Sequence, residues 1–392
     1  MAGEIAMRVV TVGEERDRAS LGDGPGGVCF DHHLLDFPAT SKTESVRKPR
    51  GKIHLVCRAV GLTKRPDELH ANFPPGFSSW DDAIAELTSS MITRFYIDNF
   101  KCLVNFELSL QELTLLLGPN GVGKTAVLDV MFALRQLLAG TAKVTDKGIF
   151  PTSTLTRWQT RDAQVFEIDV ELAPNQYRYR LEVEHQRTTR KARIVKECLN
   201  LSGRPLFEFE MGEVQLYRDD HTQGPRFGAD WSESALARVA PRNDNTHLSR
   251  FMDFMRSVIV CGIHPAGLDA ESSTEDFILM RDARNFAAWY RHLLQERQDL
   301  IPEFTQALKE VIGGFRGIRK ERLGLDTRAL MVMFEKCDKR YELGLGEISD
   351  GQRALIVLYS LVRLTSGQGA VLFLDEPDNF LALREIQPWL IE

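Results

Sequence analysis

Leu113-Thr-Leu-Leu-Leu117-Gly118-Pro119-Asn120-Gly121-Val122-Gly123-Lys124-Thr125 is the stretch on which the fold turns. Its first five residues form a short, nearly continuous apolar run, as expected of a strand buried on both faces. After it, Val127, Val130, Met131, Leu134 and Leu138 recur at helical spacing up to Gly140, a helix stop. Strand, glycine loop and helix are the context that the pattern G-x-x-x-x-G-K-[ST] requires. Gly118, Gly121 and Gly123, with Asn120 between them, let the backbone wrap closely around phosphates. Amide hydrogens at a helix N-terminus then point at negative charge. Lys124 is expected to reach the β- and γ-phosphates of ATP, and Thr125 to ligate Mg2+.

A second apolar run, Val371-Leu-Phe-Leu374, ends in Asp375-Glu376-Pro377. Acids at the C-terminal end of a buried strand lie where ligands of parallel α/β sheets collect. Asp375 is expected to hold the Mg2+ through water, and Glu376 to polarise the attacking water as a general base. An acidic pair after a strand is common in loops; its pairing with the glycine loop gives it weight.

Between the two runs the chain is first strand-rich. Phe95–Phe100 and Leu103–Leu108 read as two strands with a tight connection. Phe166, Ile168, Val170 and Leu172 alternate, as do Tyr177, Tyr179, Leu181 and Val183, with Pro174-Asn175 as the hairpin turn. Helical spacing follows over Asn245–Met255 and Asn285–Ile312, interrupted by Pro302, without the sustained heptads of a coiled coil. Residues 1–90 differ: a glycine-rich stretch, a basic run at Arg47–Lys52 and one helix at Trp80–Leu87. They read as an appendage or a mis-assigned start.

The composition (43% hydrophobic, 27% charged, over 392 residues) is that of a globular protein. No apolar run approaches the ~20 residues needed to span a bilayer, so no membrane association is expected. Six cysteines without C-x-x-C spacing and nine histidines without H-E-x-x-H point away from zinc and toward a cytoplasmic setting. The net charge of −6 means that any nucleic-acid contact must come from a local basic patch. Two candidates are Arg187, Arg190, Lys191, Arg193 and Lys196, and Arg316, Arg319, Lys320 and Arg322; a cluster of this kind is more often a solvated face.

Ile348-Ser349-Asp350-Gly351-Gln352-Arg353 looks like the ABC signature motif, although Ser349 and Gln352 also fit a helix capping box. Glycine loop, signature and acidic pair occur in ABC order. Ile92-Thr-Arg-Phe-Tyr-Ile-Asp-Asn-Phe-Lys101, Gly118-Pro-Asn-Gly and Glu376-Pro-Asp-Asn-Phe-Leu381 resemble the head domain of RecF, SMC and OLD-like ATPases. Leu279–Ala287 is similar to a segment of OLD-like predicted ATPases. The resemblance implies an α/β ABC-ATPase head: a P-loop mixed sheet with flanking helices, an antiparallel strand layer and a helical lobe. Its expected divisions are 91–240 (P-loop core with strand layer), 241–345 (helical lobe) and 346–392 (signature and acidic strand). The resemblance further implies a homodimer with ATP sandwiched between heads, Ser349, Gly351 and Gln352 acting on the opposing nucleotide. DNA and a nuclease are the implied partners, in repair or phage defence.

Several features depart from that pattern. Asp350 stands where transporters have glycine, and Ala382 fills the D-loop aspartate position. Gln159 or Gln164 is the candidate Q-loop glutamine. No histidine follows His292, so the strand with the switch histidine is expected to be missing and the head to be C-terminally truncated. The rival to an ATPase is accordingly a nucleotide-binding regulatory module with little hydrolysis.

Overall fold

The computed structural model describes residues 8–11, 54–58, 90–366 and 370–391. The sheet that carries both motifs has the order β1 (Arg8–Thr11), β5 (Leu113–Leu117), β2 (His54–Arg58), β17 (Val371–Asp375) and β12 (Ile259–Cys261). β12 runs parallel to β17, whereas β1 and β2 run antiparallel to their neighbours. β5 and β17 therefore point the same way. Their C-terminal ends bring the glycine loop and the acids to one edge.

The segment before residue 90 thus supplies two strands to this sheet, one of them between the two motif strands. In register, His54 stands across from Leu116 on one side and from Asp375 on the other. This antiparallel return puts the backbone of position 54 at the phosphate edge. The helix expected at Trp80–Leu87 lies outside the described residues.

Alternate residues of the motif strands enter two different cores. Leu116, Val371 and Phe373 pack into one and Leu372 and Leu374 into the other, with Leu113 and Leu115 half-buried against the second. The sheet is covered on both faces, as its apolar runs require. Between sheet and strand layer lies helix α1 (Lys124–Leu138), buried on most of its surface, with Ala139 and left-handed Gly140 at its end.

The antiparallel layer has eight strands: β3 (Ser90–Asp98), β4 (Phe106–Ser109), β6 (Ala163–Leu172), β7 (Asn175–Gln186), β8 (Lys191–Leu201), β9 (Arg204–Glu210), β10 (Glu213–Tyr217) and β11 (Gln223–Gly228). Their order is β11-β10-β9-β8-β7-β6-β3-β4. The strand expected from Leu103 begins only at Phe106, because Phe100 and Leu103 close a tight bridged turn first. On β6, Phe166, Ile168 and Val170 face the core. The alternate Glu167 and Asp169 face outward and pair with Arg94, Arg178 and Arg180. This is the period-2 alternation of a sheet with one wet face.

Helix α2 (Thr246–Ser257) packs Phe251 against Tyr177 and Tyr179 of the layer. The expected helix over Asn285–Ile312 divides into α3 (Phe286–Glu296) and α4 (Ile301–Val311), with Pro302 in the first turn of α4, where its missing N–H costs nothing. The region 241–345 is not wholly helical. It also holds a small antiparallel sheet in which β15 (Arg328–Lys336) pairs with β13 (Glu271–Ser272), β14 (Phe315–Arg322) and β16 (Lys339–Gly344). Helix α5 (Asp350–Tyr359) leads through one π-helical turn toward β17, and α6 (Leu383–Ile391) follows it. Among the described residues no helix is long and apolar enough to cross a membrane.

Candidate nucleotide site

Two glycines shape the phosphate loop. Gly121 has φ +83° and Gly123 φ +110°, conformations that L side chains rarely adopt. A Cβ at Gly123 would also lie 2.9 Å from Cys102 Sγ and Leu103 Cδ2, whereas Gly121 faces open space. Gly123 caps α1 and no side chain satisfies the first-turn amides, so the helix N-terminus is available to an anion. The ammonium of buried Lys124 donates to the carbonyls of Gly118 at 2.8 Å and Pro119 at 3.0 Å. An ammonium has three hydrogens, so one remains for a phosphate oxygen.

At the end of β17 the chain turns through Glu376, whose φ is +51°. The Glu376 carboxylate accepts a hydrogen bond from Asn379 Nδ2 at 2.7 Å, which fixes its direction. Asp375 packs against Gly262, where an added Cβ would lie 3.1 Å from that of Asp375. Thr125 and Asp375 line one cavity of about 870 Å³. A hydroxyl and a carboxylate are hard oxygen donors that suit Mg2+, which keeps most of its shell for water and phosphate. The residues present therefore fit a magnesium nucleotide.

Arg281 lines the same cavity. Its guanidinium pairs with Asp129 on α1, lies 3.7 Å from Asp375 Oδ2, and sits over the Phe132 ring. Asp129 also receives Lys101. Sequence reasoning noted Leu279–Ala287 only as a similar segment. An arginine between two acids becomes visible only when β17 and α1 are brought together.

Ser349 caps α5 and forms the full capping box with Gln352. Asp350 pairs with Arg353 at 2.7 Å, and Arg353 donates to the Pro265 carbonyl at 2.8 Å. Gly351 lies close under Phe380: a Cβ there would meet its carbonyl at 3.1 Å. Ser349, Gly351 and Gln352 are not among the residues lining the cavity with Thr125 and Asp375.

The two candidate glutamines separate. Gln164 is fully buried; its amide donates to the Asn99 carbonyl and Thr154 Oγ1, and its oxygen meets His185 Nε2 at 2.9 Å. It is a structural amide. Gln159 is half-buried on the preceding loop, its carbonyl held by Arg187, and it does not line the cavity. Four of the nine basic residues in the two clusters pair with acids: Arg187 with Asp162, Arg193 with Glu184, Arg316 with Glu335, and Arg319 with Glu342.

A glycine loop at an open helix N-terminus, a lysine folded into it, and a threonine and aspartate on one cavity define a P-loop nucleotide-binding protein of mixed α/β fold. A family model matches residues 113–383, more than half of the chain, and its description reads "AAA domain, putative AbiEii toxin, Type IV TA system". The chain belongs to this family of P-loop ATPases. No curated protein matches it.

Proposed function

We propose that the chain binds ATP with Mg2+ at this site and hydrolyses it as an ABC-type head of the RecF/SMC/OLD-like group. The observation that carries the reading is the shared cavity of Thr125 and Asp375, with Lys124 folded into the adjoining loop. Bound Mg2+ would neutralise phosphate charge, held by Thr125 and, through water, by Asp375. Gly118, Asn120, Gly121 and Gly123 would cradle the phosphates with backbone amides. Lys124 would give its remaining hydrogen to a phosphate oxygen. Glu376, steadied by Asn379, would accept a proton from the attacking water.

In the same reading a second copy supplies Ser349, Gly351 and Gln352 to the γ-phosphate, so two heads close on two nucleotides. The N-terminus of α5 favours an anion. Head closure would serve DNA-related work, in repair or phage defence, with a nuclease as partner. The defence branch accords with the family's description as a toxin of a type IV toxin–antitoxin system. The test is complementation. Lys124→Ala and Ser349→Arg chains, each inactive alone, should regain up to about a quarter of wild-type turnover when mixed in equal amounts. No recovery would leave a site that works within one chain.

A further inference from the structure

Arg281 stands where the metal-holding carboxylate and the phosphate-loop helix meet, and this inference rests on the nucleotide-site reading above. Asp129 follows Thr125 by one helical turn on α1, so the two share a face. Its mostly buried carboxylate takes both Lys101 and Arg281. One arm of the Arg281 guanidinium holds Asp129, and the other lies 3.7 Å from Asp375 Oδ2, at the outer limit of an ion pair. The arginine is held from two further directions: Phe132 lies beneath the guanidinium, and the Gly262 amide donates to the Arg281 carbonyl at 2.7 Å. Asp282, Arg284, Asp276 and His264 line the same cavity. A cation fixed between two acids, one of them in the metal position, competes with any incoming cation for the second acid.

We propose that Arg281 is a positioning residue that sets the magnesium requirement of the site by dividing its charge between Asp129 and Asp375. Asp129 draws the guanidinium away from Asp375 and so weakens its competition with the metal for that carboxylate. Removal of Asp129 turns Arg281 wholly onto Asp375, where it opposes Mg2+. Removal of Arg281 takes the competitor away.

The test is a titration of Mg2+ against binding of a fluorescent, non-hydrolysable ATP analogue to the full chain. It compares wild type, Arg281→Met, Asp129→Asn and the double variant, each with a nucleotide-free melting curve as fold control. Asp129→Asn should raise the half-saturating Mg2+ concentration about 3- to 10-fold, and Arg281→Met should lower it by a similar factor. In the double variant the rise caused by Asp129→Asn should vanish, a coupling that loss of packing alone does not produce. If Arg281→Met fails to fold, Arg281→Gln takes its place in the cycle. Midpoints that move in the same direction, stay unchanged, or add independently would overturn the inference alone. Failure of the wild type to bind the analogue at any Mg2+ concentration would overturn the nucleotide-site reading, and this inference with it.

Discussion

The Ser349 hydroxyl accepts the Gln352 amide at 3.3 Å while the Gln352 side chain accepts the Ser349 amide at 3.1 Å, closing a reciprocal cap on helix α5. The same two residues are those that would meet a phosphate across a dimer interface, so the two roles need separating by substitution. Ser349→Ala removes the cap and should cost about 1 kcal/mol, read as a lower melting temperature. Ser349→Asp keeps a capping oxygen, so its melting curve should stay near wild type. Its negative charge should nevertheless abolish ATP-dependent dimerisation in size-exclusion light scattering. If the aspartate variant dimerises with ATP as wild type does, Ser349 is only a cap.

Exposed Cys102 lies against Gly123, so a group attached to its thiol would press on the phosphate loop. Alkylation of Cys102 with N-ethylmaleimide should weaken ATP binding at least about 10-fold, and saturating MgATP should slow the labelling severalfold. Peptide mass mapping of labelling time courses reads both. The nearby Gly123→Ala change combines a strained φ with that crowding, at about 1–3 kcal/mol, and should lose ATP binding outright.

His185 is buried beside Gln164, and desolvation pushes its pKa down to about 4. Gln164 Oε1 can only accept, so Nε2 carries the proton of a neutral ring. The unfolded chain takes a second proton near the ordinary value of 6.5, before the folded chain does. The contribution of this group is therefore fully present above that value and is lost as pH falls toward 4, by up to about 3 kcal/mol. Melting temperature should fall between pH 7 and 4. His185→Gln should flatten part of that fall. Identical pH slopes in the two proteins would exclude the histidine as the cause.

What the sequence made legible was contiguous. Strand, glycine loop and helix at Leu113–Leu138 are consecutive, so local pattern alone could place Lys124 and Thr125. The apolar run before Asp375 did the same for β17. Relationships that need a register were not legible. Arg319 and Glu342 lie on strands either side of β15, so their pairing, which offsets one charge of an apparent basic patch, appears only after the sheet forms. That small sheet had its own signal, since Leu330, Val332 and Phe334 alternate into the core. The two flanking helices drew the whole region into a helical reading. His54–Arg58 lies between the motif strands through a long-range antiparallel pairing that no local periodicity reports.

Mg2+-dependent ATP turnover, measured beside nucleotide binding, decides whether Lys124, Thr125, Asp375 and Glu376 form a working hydrolytic site. Wild type should turn over ATP, Glu376→Gln should lose at least about 100-fold with binding retained, and Lys124→Ala should lose both. Wild-type protein that binds ATP without turnover, or turnover indifferent to Glu376→Gln, would contradict such a site.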